Sequence, residues 1–171
     1  MVVRGLIIFL ALVASLLNAT AREGLGWVQY TNERFGFSFR YPAELFRSER
    51  RSETGDGEVL IGADDRGRLL VGAFENAEHH SVASYMQVVR TKSYSTYDVT
   101  YSRRGENWFV LSGRNNQNVF YEKVMLSCGG GIISSFALVY PIENKWRFDP
   151  VVEGIENTFR PGQDCRRHAT R

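Results

Sequence analysis

Phe35, Phe37, Phe39 and Tyr41 alternate with Gly36, Ser38, Arg40 and Pro42. A period of two residues puts all four rings on one face of an extended strand. Rings so concentrated need an apolar layer to bury them, so the chain must build a sheet with a covered face. The competing use of an aromatic row is stacking on bases or sugars, and the strict alternation favours core packing over it. Residues 27–30 read as a short strand before this one, with residues 31–34 as the turn. Residues 47–57 are polar, charge-mixed and end in glycine, which reads as an exposed loop. Residues 59–63 and 68–74 flank Asp64-Asp65-Arg66-Gly67, a hairpin signature. Residues 98–103, 108–113 and 119–128 are three further strand-like runs, and Gly129-Gly130-Gly131 offers the positive φ needed to turn the chain into residues 132–140.

Two segments follow a helical period. Ser81 stands at an N-cap position before Val82, Tyr85, Met86 and Val89, whose i, i+3, i+4, i+7 spacing predicts a helix over 81–92. Phe148, Val152, Ile155 and Phe159 share a face of a second helix, for which Asp149-Pro150 offers an N-cap and N1 pair. The alternative is a start near Glu143 with Pro150 inside, and Arg160-Pro161-Gly162 ends the helix either way. Adjacent strands with two helices and no internal repeat or linker predict one α+β domain, an antiparallel sheet sandwiched by helices.

The first 21 residues stand apart from this fold. Arg4 precedes an apolar run from Leu6 to Leu17, which is shorter than the about 20 residues a membrane span requires. Ala19-Thr20-Ala21 gives the small-x-small pattern of a signal-peptidase site, with cleavage expected between Ala21 and Arg22. An uncleaved N-terminal anchor is the alternative. The expected product is a single domain over 22–171 with a basic tail at Arg166, Arg167 and Arg171, periplasmic or secreted, without stable membrane insertion after cleavage. An arginine-rich, lysine-poor basic complement fits a bacterial periplasm. Export also changes the reading of Cys128 and Cys165, because an oxidising compartment favours a bridge and their spacing matches no zinc or redox motif. If the last helix packs back antiparallel on the sheet, its end arrives near Cys128 and a few extended residues carry Cys165 to it. A Cys128–Cys165 disulfide is therefore expected, with two free thiols as the alternative.

Chemistry is sparse. Twenty-one basic and 19 acidic side chains leave a net charge of +2, with no electrostatic bias toward nucleic acid. The three histidines include His168 in the tail; His79-His80 is the pair able to do acid–base or metal chemistry near neutral pH, and it lacks any HExxH-type spacing. There is no GxSxG or SxxK for a serine nucleophile. Glu53, Asp56, Glu58, Asp64, Asp65 and Glu122 are candidates for paired-carboxylate work, unselected without geometry. The glycine triplet lacks the following helix that a phosphate site needs. We expect no catalytic, cofactor-binding or metal-ligating set.

The segment Trp27 to Pro42 (WVQYTNERFGFSFRYP) resembles the opening of small exported bacterial proteins of the broad PsbP-like superfamily. The resemblance continues through Trp108-Phe109-Val110-Leu111-Ser112-Gly113, Phe120-Tyr121-Glu122-Lys123, Tyr140-Pro141, Phe148-Asp149-Pro150-Val151-Val152 and Thr158-Phe159-Arg160-Pro161. It implies an antiparallel sheet between helices and, because relatives of that fold are mostly binding proteins, a binding role without a transferable ligand site. Two functions are consistent with this sequence: an exported non-enzymatic binding or adaptor protein that holds another envelope protein, and a small envelope hydrolase using His79 or His80.

Overall fold

The computed structural model describes residues 26–163 and Cys165. The expected signal segment, its Ala21–Arg22 junction, His168 and the basic tail fall outside the described residues. A two-stranded antiparallel ribbon, β1 (Trp27–Thr31) and β2 (Ser38–Pro42), precedes a seven-stranded sheet. That sheet comprises β3 (Phe46–Arg51), β4 (Gly57–Gly62), β5 (Arg68–Glu75), β6 (Asp98–Arg104), β7 (Trp108–Arg114), β8 (Asn118–Ser127) and β9 (Ile132–Pro141). Its spatial order is β3-β4-β5-β9-β8-β7-β6, every pairing antiparallel. Helix α1 (Val82–Lys92) joins β5 to β6, and α2 (Lys145–Thr158) follows β9. The expected α+β sandwich is the architecture observed.

Alternation along β8 and β9 feeds both sides of the sheet. Val119, Tyr121 and Met125 of β8 and Phe136, Leu138 and Tyr140 of β9 join the core under α2, which contributes Phe148, Val151, Val152 and Ile155. Phe120, Val124, Leu126 and Ile133 point the other way, into a second core with Val89, Phe109 and Leu111. Val82, Tyr85, Met86 and Val89, the stripe read from the helical period, all pack into this second core. The predicted cap holds as well: the Ser81 side chain accepts a hydrogen bond from the Ser84 backbone N–H.

The aromatic row is buried as expected but is only partly strand. Phe35, Phe37 and Phe39 are at most 4% exposed, yet the strand begins at Ser38. Asn32, itself buried, sets the difference. Its side-chain oxygen accepts from Phe35 N at 2.8 Å, its amide donates to Gly55 O at 2.9 Å, and its carbonyl accepts from Gly36 N. The first two phenylalanines therefore reach the core from a turn.

The expected loop at residues 47–57 contains an edge strand. Only Phe46 of β3 is buried, and its charged side chains pair with neighbours, Arg51 with Glu58 at 3.3 Å and Glu49 with Arg68 at 3.5 Å. Charge on an outer strand blocks further pairing, so the polar composition marks an edge where we expected a loop. In α2 the alternative start is the one observed: Pro150 lies inside the helix. The carbonyl it leaves without a donor belongs to Trp146, a residue 77% exposed, where water can satisfy it. Gly154 has a packing reason, since a Cβ there would lie 2.2 Å from the Trp27 ring. The chain then pairs Arg160 with Ser38 and closes the expected Cys128–Cys165 disulfide, with Cα atoms 5.3 Å apart.

Candidate functional site

The α1 face is covered over one half only. Helix α1 packs on β6 and β7, and the connector after it carries Tyr94 and Tyr97 onto Phe120 of β8, Tyr94 stacked at 3.6 Å and Tyr97 edge-on at 5.1 Å. Beyond these rings the same face of β9, β5, β4 and β3 is open, and forms a groove of about 900 Å3. Small residues make it deep: Gly57 and Gly72 pair across β4 and β5, and Ser135 and Ala137 of β9 lie alongside. Val59, Leu70, Phe74 and Val139 add apolar walls, and Leu70 and Phe74 are more than 40% exposed, large for side chains of this type.

Glu122 closes the inner end. Strand β8 alternates Phe120, Glu122, Val124 and Leu126 on the α1 face, so the strand period itself drives this carboxylate into an apolar layer. It is 8% exposed. Burial raises its pKa to about 7, against which a hydrogen bond from Tyr94 acts in part. Burial and then the charge of Glu122 raise Tyr94 far above the usual phenol value, and the same two causes raise Tyr85 to about 12. No cation lies against Glu122 among the described residues. The neighbouring Lys123 faces the other side of the sheet, 3.3 Å from Glu156 and over the Trp108 ring.

Of the six carboxylates singled out in the sequence, Glu53, Asp56, Glu58 and Glu122 border this groove. Glu58 does so only through its position on β4; by alternation it shares the α2 side with Leu60 and is held by Arg51. Asp56 is at the rim, where hydrogen bonds from Ser52 and Thr54 lower its pKa. Asp64 is elsewhere, accepting from Arg66 N in the hairpin turn and from Arg147 of α2 at 2.5 Å. Asp65 pairs with Arg47. These two act as the turn residues their context suggested.

The histidine pair lies at the start of α1. His79 has a φ of 53°, and His80 contacts Glu78 at 2.9 Å through Nε2 while its Nδ1 is 3.4 Å from Ser84 Oγ. Asn76 takes a hydrogen bond from His80 N and donates to His80 O and Gly130 O, tying this loop to the glycine turn. The cluster caps a helix, and none of its members borders the groove. Tyr94 and Tyr97 went unmarked in the sequence because they sit in a connector, where neither period applies. Glu122 did leave a signal: it is the one acid at a core-facing position of β8.

No protein-family model and no curated protein sequence matches the chain. Its backbone, however, superposes on solved structures along most of their length. The solution structure of cyanobacterial PsbP (CyanoP) from Synechocystis matches with a TM-score of 0.59 at 14% identity, covering 79% of this chain and 92% of that one. The fold is that of PsbP and Mog1. The Ran-binding protein Mog1p of Saccharomyces cerevisiae matches with a TM-score of 0.57 at 8% identity, over 80% of this chain and 96% of its own. A single-residue Mog1 variant gives 0.58 at 6% identity. At such identities the PsbP/Mog1-like fold is what is shared, and the groove residues are properties of this chain.

Proposed function

We propose that this chain is an exported, non-enzymatic binding protein of the periplasm or cell exterior, and that the open half of its α1 face is the binding surface. The observation that carries this reading is the groove itself. Its volume falls in the range of ligand sites, and it combines apolar walls with one buried polar group at its inner end. Glu122 has the Tyr94 phenol beside it and is the one buried acid on this face among the described residues, an arrangement suited to recognition of a polar group. The Cys128–Cys165 bridge supports an oxidising compartment. Mog1p is a Ran-binding protein, which adds a fold-level analogy for binding and nothing about the ligand.

The test is a photo-crosslinking side chain at Leu70, in the groove, or at Trp146, on α2. Exposed to an oxidised envelope extract, the Leu70 probe should give a defined adduct that the Trp146 probe does not give and that Gly72→Leu abolishes. A Cβ at Gly72 meets nothing closer than 3.5 Å, so the added side chain fills the groove without disturbing the sheet. An adduct pattern that is the same at both positions, or unaffected by the filled groove, overturns the assignment.

A further inference from the structure

We propose that the groove takes a small amphiphilic organic cation, with its ammonium head beside Glu122 and the rings of Tyr94 and Tyr97. This deepens the binding reading and rests on it. An ionised carboxylate buried among apolar side chains is expensive unless a cation accompanies it. Among the described residues Glu122 has the Tyr94 hydroxyl and no cation beside it, in a cavity that is open to solvent at its other end. A ligand ammonium is the missing counter-charge.

The surroundings agree with a cation over other heads. Ring faces attract ammonium groups electrostatically, and a carboxylate bordered by rings is the composition that recognises alkylated amines. Tyr97 is half-buried, so its ring presents surface to an incoming group. A carboxylate or phosphate head would instead face Glu122 directly. The tail has its own place along Leu70, Val59, Ala137 and Val139, which run outward from Glu122 across β9, β5 and β4. Arg50 and Arg51, the β3 cations that border the groove, stand four strands from β8, roughly 19 Å away at ordinary strand spacing. Glu53 and Asp56 border the groove near it. The polarity therefore runs from an acidic inner end to a mixed rim.

The experiment is calorimetric titration of the oxidised protein at pH 8 with octyltrimethylammonium, octanol and octanoate, three probes sharing one tail. The expected result is an affinity for the cation at least tenfold above that for octanoate. Glu122→Gln, which keeps an acceptor for Tyr94, should remove that preference while leaving octanol binding unchanged. Tyr97→Leu should weaken the cation several-fold and octanol little. Between pH 8 and pH 6 the cation should lose roughly tenfold in affinity as Glu122 takes up a proton, since a permanently charged probe cannot itself titrate. The other titratable groups facing Glu122, Tyr85 of α1 and Tyr94 of the connector, are raised away from this interval. Equal binding of all three probes, or cation binding indifferent to Glu122→Gln, overturns the cation assignment and leaves the groove standing. Binding of none of the three overturns both.

Discussion

The two faces of the sheet are made from the same alternating strands and end in different states. On one, the 14 residues of α2 and the β1–β2 ribbon together seal the surface over Phe37, Phe39, Phe136, Phe148, Ile155 and Phe159. On the other, α1 has 11 residues and no ribbon beside it. A helix of that length spans about 16 Å, and the sheet measures about 29 Å across its seven strands. One short helix cannot cover such a face. The groove is thus a matter of cover, and its floor of glycine, alanine and serine is what keeps the uncovered half from presenting a broad apolar patch.

The contrast breaks first with deletions matched across the two faces. Phe136→Ala removes a fully buried ring from the sealed side and should cost about 3–5 kcal/mol, whereas Leu70→Ala in the groove should cost less than about 1 kcal/mol; urea unfolding curves measure both. Similar losses at the two positions would mean that the groove is collapsed in solution. Next comes the bridge. Cys128 packs against the sealed core and is separated from Cys165 by 37 residues, so replacing both by serine should lower stability by up to about 4 kcal/mol on the chain-entropy account. It should leave affinity in the groove unchanged.

Glu122 gives the contrast a pH signature. Its pKa is near 7 in the folded protein and near 4.5 in the unfolded chain. The native state therefore binds more protons between these values, and stability falls as pH rises through that window. That difference corresponds to about 3 kcal/mol, present below pH 4.5 and lost above pH 7. Glu122→Gln should remove this slope, so the variant gains on the parent protein as pH increases from 4.5 to 8. Parallel stability–pH curves for the two proteins would place Glu122 in solvent. The smallest expected effect is Gly72→Leu, within about 0.5 kcal/mol of the parent in stability and without detectable groove binding.

Much of this was legible along the chain because most elements obey one period over many residues. Helix α1, the 59–74 hairpin and strands β6 to β9 fall within a few residues of where periodicity puts them. The disulfide also followed, since topology constrains where a returning helix must end. What escaped reading depends on context that appears only in the assembled sheet. Residues 47–51 look like a loop because β3 is charged and exposed after Phe46, and Phe35 and Phe37 look like strand because Asn32 reaches across to Gly55 only in the folded chain. The groove escaped for the same reason: it is defined by what α1 does not cover. Glu122 could be noted as an acid among core residues, but the lack of a cation beside it among the described residues is a property of the assembled sheet.

The central strand β9 sits between β5 and β8, although it is the last of the seven to be synthesised. Until it emerges, the nascent protein holds two separate meanders, β3-β4-β5 and β6-β7-β8, each with an unpaired inner edge rich in aliphatic and aromatic side chains. Open edges of that kind invite association with other chains. A truncation before Ile132 should consequently aggregate rather than persist as a partial domain. The late strand makes its own insertion, more than any local element, the event that closes the two open edges.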